Sequence, residues 1–128
     1  MSREIKFRGK SKETGQWVYG SLVQVSNAGS LAIATLDDKG HLKLQEIIKG
    51  TEGQYTGLKE RNGQEIFEKD IVRHTVGWKG KVQYFEGTFE IEAKHQSWPI
   101  NYTRSGKIEV VGNIHDNPEL LGGEAVKA

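Results

Sequence analysis

The passage at residues 55–72, YTGLKERNGQEIFEKDIV, constrains the fold more than any other part of the chain. Its Asn62-Gly63 pair is typical of a tight turn, because these two residue types tolerate the positive φ angles that such turns need. A short strand is predicted at residues 65–67, and another is predicted to begin at Asp70. Strands and turns therefore alternate at short intervals, which predicts an all-β fold.

The composition of the chain also favours an all-β fold and limits its size and location. A chain of 128 residues forms one ordinary domain or two small lobes, and 16 glycines against 2 prolines favour short strands joined by turns. No apolar run approaches the ~20 residues that span a bilayer, and the basic start lacks the apolar stretch of a signal peptide. With no cysteine, disulfides and thiolate metal sites are excluded. We expect a cytoplasmic protein that does not enter a membrane.

Residues 1–53 are predicted to form an N-terminal lobe of β-hairpins in a meander. Near its start Ile5 and Phe7 alternate with Lys6 and Arg8, so a strand is expected to bury the first pair and expose the second. Glycine and charge at residues 49–54 mark the predicted lobe boundary. The other predicted strands of this lobe are residues 16–25, residues 31–36 and a return strand containing Leu42 and Leu44.

Residues 54–121 are predicted to form a small SH3-like barrel. Residues 94–106 are expected to be an irregular loop that projects or lies in an interface. Residues 117–119, Asn-Pro-Glu, have the order of a helix N-cap and first turn, which predicts one short helical turn. Residues 122–128 are expected to be a disordered tail. The predicted strands are residues 65–67, 71–76, 81–85, 88–92 and 107–111.

Three segments carry a resemblance to a known family. Residues 55–72 resemble the hallmark segment of the YopX family of phage and prophage proteins, residues 110–121 are similar to its ending, and residues 5–8 resemble its opening strand. The resemblance implies a β-rich, phage- or prophage-encoded protein of undefined activity with no catalytic residues to transfer. Two departures are Gly9-Lys10, where an aromatic is expected, and Lys69, where glycine is expected. Lysine at a left-handed position 69 would cost about 1 kcal/mol.

The polar residues of the sequence form no recognisable catalytic or metal-binding pattern. The four histidines lie 33, 21 and 20 residues apart, without the close spacing by which one element presents two metal ligands. Asp70 is expected to accept backbone hydrogen bonds in its turn rather than act as an acid or base. No Gly-x-Ser-x-Gly elbow or phosphate-binding glycine loop occurs. We therefore expect no enzyme activity, no metal and no cofactor.

Two classes of binding function remain. In the favoured one the chain is a protein interaction or assembly module, with Trp78, Trp98 and Tyr102 as the candidate interface. The alternative role of these aromatics is to cover a small core. A basic start and an acidic second half would let subunits attract each other, so we expect a homo-oligomer and an unidentified host or phage protein as partners.

The alternative class is an accessory protein that binds nucleic acid. Its candidate residues combine cations for phosphates with aromatics for stacked bases. The net charge of +1 argues against this class, because dedicated binders are usually far more basic. The candidates are Lys6, Arg8 and Lys10 on the opening strand and Trp17 and Tyr19 on the facing strand.

Overall fold

A computed structural model describes residues 4–94, 96–102 and 105–121, with residues 102 and 105 described by their backbone alone. This part of the chain is all-β, as predicted, and contains eleven strands and three short 3-10 helices. The chain divides into two compact units, Met1–Tyr55 and Thr56–Ala128. The lobe limits of 1–53 and 54–121 remain predictions, and the predicted tail at residues 122–128 lies outside the described residues. No helix in the described ranges is long and apolar enough to cross a membrane.

The first unit is an antiparallel sheet in which β1 lies between β2 and the start of β5. Strand β2 pairs with β1 through its first half and with β3 through its second half. Gly20 lies where this exchange occurs, and a Cβ there would lie 2.3 Å from the Ala34 carbonyl oxygen. Only glycine fits at this position. The strands are β1 (Phe7–Lys10), β2 (Trp17–Gln24), β3 (Leu31–Leu36), β4 (Leu42–Glu46) and β5 (Gly53–Lys59), which continues into the second unit.

Hydrogen bonds connect the residues that follow β4 to the start of β3 and to the end of β1. Beyond β4, the Ile47 amide donates to the Leu31 carbonyl at 3.0 Å, and the Ile48 amide donates to the Lys10 carbonyl at 2.8 Å. Gly9 makes room for this closure, because a Cβ there would lie 2.5 Å from Cδ1 of Ile47. Ile47 is buried, so it forms part of the small core of this unit.

The second unit contains a five-stranded antiparallel sheet in the order β10-β9-β8-β7-β11. The predicted SH3-like closure remains a prediction. The 3-10 helix Pro118–Leu121 confirms the predicted helical turn, and 3-10 helices also lie at Ile100–Tyr102 and Ser105–Lys107. The strands of this unit after β5 are β6 (Glu65–Phe67), β7 (Asp70–His74), β8 (Lys79–Phe85), β9 (Thr88–Ala93), β10 (Gln96–Pro99) and β11 (Ile108–Asn113).

Strand β10 corrects the prediction that residues 94–106 are irregular. Its residues pair with β9, and Trp98 lies opposite Ile91. The indole packs against the core of the unit, and this tertiary contact outweighs the weak local strand preference of the segment. The buried core residues in this cluster are all aliphatic and β-branched, as suits a packed sheet. They are Ile66, Val72, Val82, Ile91, Ile100 and Ile108.

The turn between β6 and β7 has the left-handed conformation for which glycine was expected. Lys69 has a φ of 75°, and its amide donates to the Val82 carbonyl at 2.7 Å. The adjacent Asp70 is buried and accepts a hydrogen bond from the Phe67 amide at 2.7 Å, as predicted. Hydrogen bonds of the neighbouring residues therefore fix the backbone conformation at position 69. Lys69 adopts this left-handed conformation at a cost in backbone strain.

Replacing Lys69 with glycine is expected to stabilise the protein. Removing the strained Cβ should raise the free energy of unfolding by about 1 kcal/mol, which corresponds to roughly 4 °C in Tm. Thermal unfolding followed by circular dichroism measures this change. Lys79→Gly, a lysine in a regular strand, is the matched control and should lower Tm. A Lys69→Gly protein no more stable than wild type would contradict the strain.

Candidate interaction surfaces

The candidate nucleic-acid residues lie on one face of the first unit. The register of β1 and β2 places Arg8 opposite Tyr19 and Lys10 opposite Trp17. Because side chains alternate along a strand, Lys6 projects from the same side as Arg8 and Lys10, and its Nζ lies 5.5 Å from the centre of the Tyr55 ring. The fold therefore brings together all five residues that the sequence singled out. We call Lys6, Arg8, Lys10, Trp17 and Tyr19 the cationic face.

Burial on this face differs from the sequence prediction. Arg8 is only 6% exposed, whereas Ile5, which was expected to be buried, is 65% exposed. The guanidinium carbon of Arg8 lies 4.6 Å from the centre of the Trp17 ring, and Nζ of Lys10 lies 5.6 Å from it. These distances are those of cation–π contacts, so the Arg8 guanidinium packs on the Trp17 ring rather than facing solvent. The prediction that the opening strand exposes Arg8 and buries Ile5 was wrong.

The same side of the sheet carries a row of exposed leucines at the far end of hairpin β3–β4. Leu36 pairs with Leu42, and Leu44 pairs with Ala34, so all three leucines share one face. Leu36 and Leu42 are each 68% exposed and Leu44 is 50% exposed. We call Leu36, Leu42 and Leu44 the leucine strip. The sequence pattern predicted strands for these residues but did not predict their exposure.

The register contains the signal that would have revealed this exposure. Strand β2 reaches β3 only as far as the pair between Ser21 and Ala34. Leu36 extends beyond the end of this pairing, so β2 gives it no neighbour and it is solvated. Ser21 and Tyr19 project on the same side as Ala34, so the leucine strip and the cationic face lie on one surface of the sheet.

Two of the three candidate interface aromatics are in contact in the second unit. The Trp78 and Trp98 rings meet edge to face, with centres 5.2 Å apart and an interplanar angle of 85°. His74 stacks on Trp78 at 4.9 Å. Both tryptophans are half-buried against the aliphatic core. This position matches the alternative role given above, in which the aromatics cover a small core. The backbone of Tyr102 ends a 3-10 helix, and its side chain lies outside the described atoms. The interface role of these residues remains a prediction.

A second exposed apolar feature lies at the end of hairpin β8–β9. Tyr84 and Phe85 are each 53% exposed, and Tyr84 meets Phe89 edge to face at 5.1 Å. The turn consists of Glu86 and Gly87, which both have positive φ, as in a type I′ turn. We call Tyr84, Phe85 and Phe89 the aromatic tip. The hairpin was predicted, but its aromatics were not singled out.

Comparison with known proteins decides the family. A family model described as YopX protein matches residues 6–122. The chain belongs to the YopX family. The resemblance of residues 55–72 and 110–121 is thereby confirmed. The crystal structure of protein EF1440 from Enterococcus faecalis is similar, with a TM-score of 0.60 and 23% identity over 94% of this chain and 99% of that chain, which shows a shared fold. No curated protein matches.

Histidines considered as metal ligands in this YopX-family chain make contacts with nearby residues. Nδ1 of His41 lies 3.4 Å from a carboxylate oxygen of Asp37, and Nδ1 of His74 accepts a hydrogen bond from the Val76 amide at 3.1 Å. His95 lies outside the described residues. Within the described ranges, no group of three histidine, aspartate or glutamate side chains could hold a metal ion.

Proposed function

We propose that this YopX-family chain is a non-catalytic assembly module that binds further copies of itself through the leucine strip. The supporting observation is the exposure of Leu36, Leu42 and Leu44, which are adjacent on one sheet face. Burying apolar surface yields about 25 cal/mol per Å², and contiguous exposed apolar patches commonly mark contact sites. The chemistry of the surface therefore suits a protein partner.

The partner is expected to approach the face of hairpin β3–β4 rather than the edge of β4. Lys43 lies between Leu42 and Leu44 and projects on the opposite side of the strand. Lysine on an edge strand discourages pairing with another strand, since pairing would crowd or desolvate its charge. The leucine side remains available to an apolar surface of another molecule.

The nucleic-acid alternative has less support from the geometry. The Trp17 ring already contacts two cations of the protein, and burial keeps the Arg8 guanidinium away from a phosphate. Lys6 is also paired with Glu4, with Nζ and Oε2 3.4 Å apart. Our proposal keeps the phage or prophage origin and the bacterial cytoplasm that the resemblance implies. An unidentified host or phage protein is the other candidate occupant of the leucine strip.

Self-association is tested by light scattering and sedimentation at micromolar to millimolar concentration. We expect wild-type oligomers and a monomeric double variant Leu42→Ser/Leu44→Ser, with affinity reduced roughly 100-fold by the loss of buried leucine surface. Val76→Ser, which removes an equally exposed apolar side chain away from the strip, is the control and should still assemble. A wild type that stays monomeric would refute the proposal.

A separate binding assay tests the nucleic-acid alternative. Salt-dependent binding of single-stranded DNA that is abolished by Lys10→Ala would support nucleic-acid binding as the function.

A further inference from the structure

The turn between β5 and β6 contains the only Asn-Gly pair of the sequence, at Asn62 and Gly63. We infer that Asn62 is a site of spontaneous deamidation and that the folded turn keeps this reaction slow. Asparagine is chemically labile, and a following glycine has no side chain to obstruct attack on the asparagine amide. Both residues are exposed, so water reaches them. The inference is independent of the self-association proposed above.

The reaction consumes one water molecule, releases one ammonia molecule and transfers no electrons. The backbone nitrogen of Gly63, after losing its proton to solvent, forms a bond with Cγ of Asn62. The Cγ–Nδ2 bond breaks and ammonia leaves, which closes a succinimide ring. Water then opens this ring at either of its two carbonyl carbons. One opening gives aspartate, and the other gives isoaspartate, in which the backbone is longer by one methylene group.

The folded turn opposes the first step. The Gly63 amide donates to the Glu60 carbonyl at 2.9 Å, so the proton that must leave is held in a hydrogen bond. The Glu60 amide donates to the Gln64 carbonyl at 2.8 Å, which fixes both ends of the turn. Attack requires rotation about the backbone of Asn62 to bring its Cγ onto the Gly63 nitrogen. These hydrogen bonds restrict that rotation until the turn opens.

The Glu60 carboxylate adds an electrostatic barrier. Its Oε1 accepts hydrogen bonds from the amides on both sides of Gly63, those of Asn62 at 2.6 Å and Gln64 at 3.1 Å. Glu60 is buried, so water screens its charge weakly. A nitrogen anion at Gly63 would place a second negative charge beside this carboxylate. The reaction rate should therefore follow the population of molecules whose turn has opened.

The isoaspartate product does not restore the original turn. Its additional methylene group lengthens the backbone before Gly63, so the amides of residue 62 and Gln64 no longer have the spacing that one oxygen of Glu60 accepts. The other oxygen of the same carboxylate accepts the Val110 amide at 3.0 Å, so β11 also loses support. The isoaspartate form should therefore be less stable than the original chain, and refolding does not reverse the change.

Mass spectrometry of the full chain, incubated at mildly alkaline pH in native buffer and in urea, tests the inference. Asn62 should deamidate in urea and should react at least roughly 100-fold more slowly in the folded wild type. Glu60→Ala should raise the rate in native buffer at least about tenfold, because backbone donors lose a charged acceptor, and Glu60→Gln should raise it less. Asn27, an exposed asparagine followed by alanine, is the internal control and should react far more slowly than Asn62 in urea.

Three outcomes would overturn the inference. An unreactive Asn62 in urea removes the site, and equal rates in native buffer and urea remove the protection by the fold. If Glu60→Ala and Glu60→Gln react no faster than the exposed-surface variant Glu119→Gln, the carboxylate has no protecting role. Circular dichroism checks that the variants are folded, and the wild-type comparison stands even if Glu60→Ala is not.

The effect of the longer backbone is measured separately. The isoaspartate form is isolated by chromatography and compared with Asn62→Asp, which carries the same charge on a backbone of normal length. Thermal unfolding should give the isoaspartate form the lower Tm. Equal Tm values would show that the turn tolerates the additional methylene group.

Discussion

Replacing Gly20 with alanine is expected to destabilise the first unit by about 3 kcal/mol or more, because a Cβ would lie 2.3 Å from the Ala34 carbonyl oxygen. That oxygen belongs to the backbone of the neighbouring strand, so it cannot rotate away as a side chain would. The Cβ would also lie 3.0 Å from Cγ2 of Thr35 and 3.1 Å from Cγ2 of Ile33. Relief requires β2 and β3 to move apart at the point where β2 changes partners.

Hydrogen–deuterium exchange followed by mass spectrometry measures this effect within each unit. Peptides from β1 to β4 should lose protection in Gly20→Ala, while peptides from β7 to β9 should be much less affected. Gly106→Ala is the control, since a Cβ there would meet nothing within 4 Å. If the two alanine variants exchanged alike throughout the first unit, the close approach at Gly20 would not be a constraint on the fold.

Local patterns predicted much of the secondary structure. Strand β3 covers the predicted residues 31–36, and Gly63 has the positive φ of 89° expected for the tight turn. These features depend on turn chemistry and alternation, which are properties of neighbouring residues. Strand β10 was missed because its four residues gain their order from a contact with β9 rather than from their own preference.

Alternation could not predict which side chains of the first unit are buried. It places Arg8 and Ile5 on opposite sides of a strand, but burial depends on what each side meets. The contact of Arg8 with Trp17 comes from the pairing of β1 with β2, and the exposure of Leu36 comes from the point at which β2 ends. The candidate surfaces therefore required the strand register, which a single sequence does not contain.

A buried carboxylate in the second unit, which no sequence pattern singled out, holds three backbone amides. Glu60 is 5% exposed, and its Oε1 accepts hydrogen bonds from the amides of Asn62 at 2.6 Å and Gln64 at 3.1 Å. Its Oε2 accepts the Val110 amide at 3.0 Å. One side chain thus holds the turn between β5 and β6 and also contacts β11, 50 residues further along the chain.

Glu60→Ala is expected to lower the free energy of unfolding by about 3 kcal/mol, because three backbone donors lose a charged acceptor and water reaches only part of that site. Glu60→Gln should cost less, about 2 kcal/mol, since its oxygen can still accept the turn amides while its amide group opposes the Val110 N–H, donor against donor. Urea unfolding curves provide both values, with the exposed Glu119→Gln as the matched control.

The order of these variants separates two explanations for the role of Glu60. If the carboxylate acts as a shared acceptor, stability should fall from wild type to glutamine to alanine, with Glu119→Gln close to wild type. If Glu60 merely filled space, the nearly isosteric glutamine would match wild type and the acceptor role would be refuted. Because its two oxygens serve different segments, the glutamine variant should also loosen β11 more than the turn. Amide exchange at Val110 should therefore rise more than exchange at Asn62.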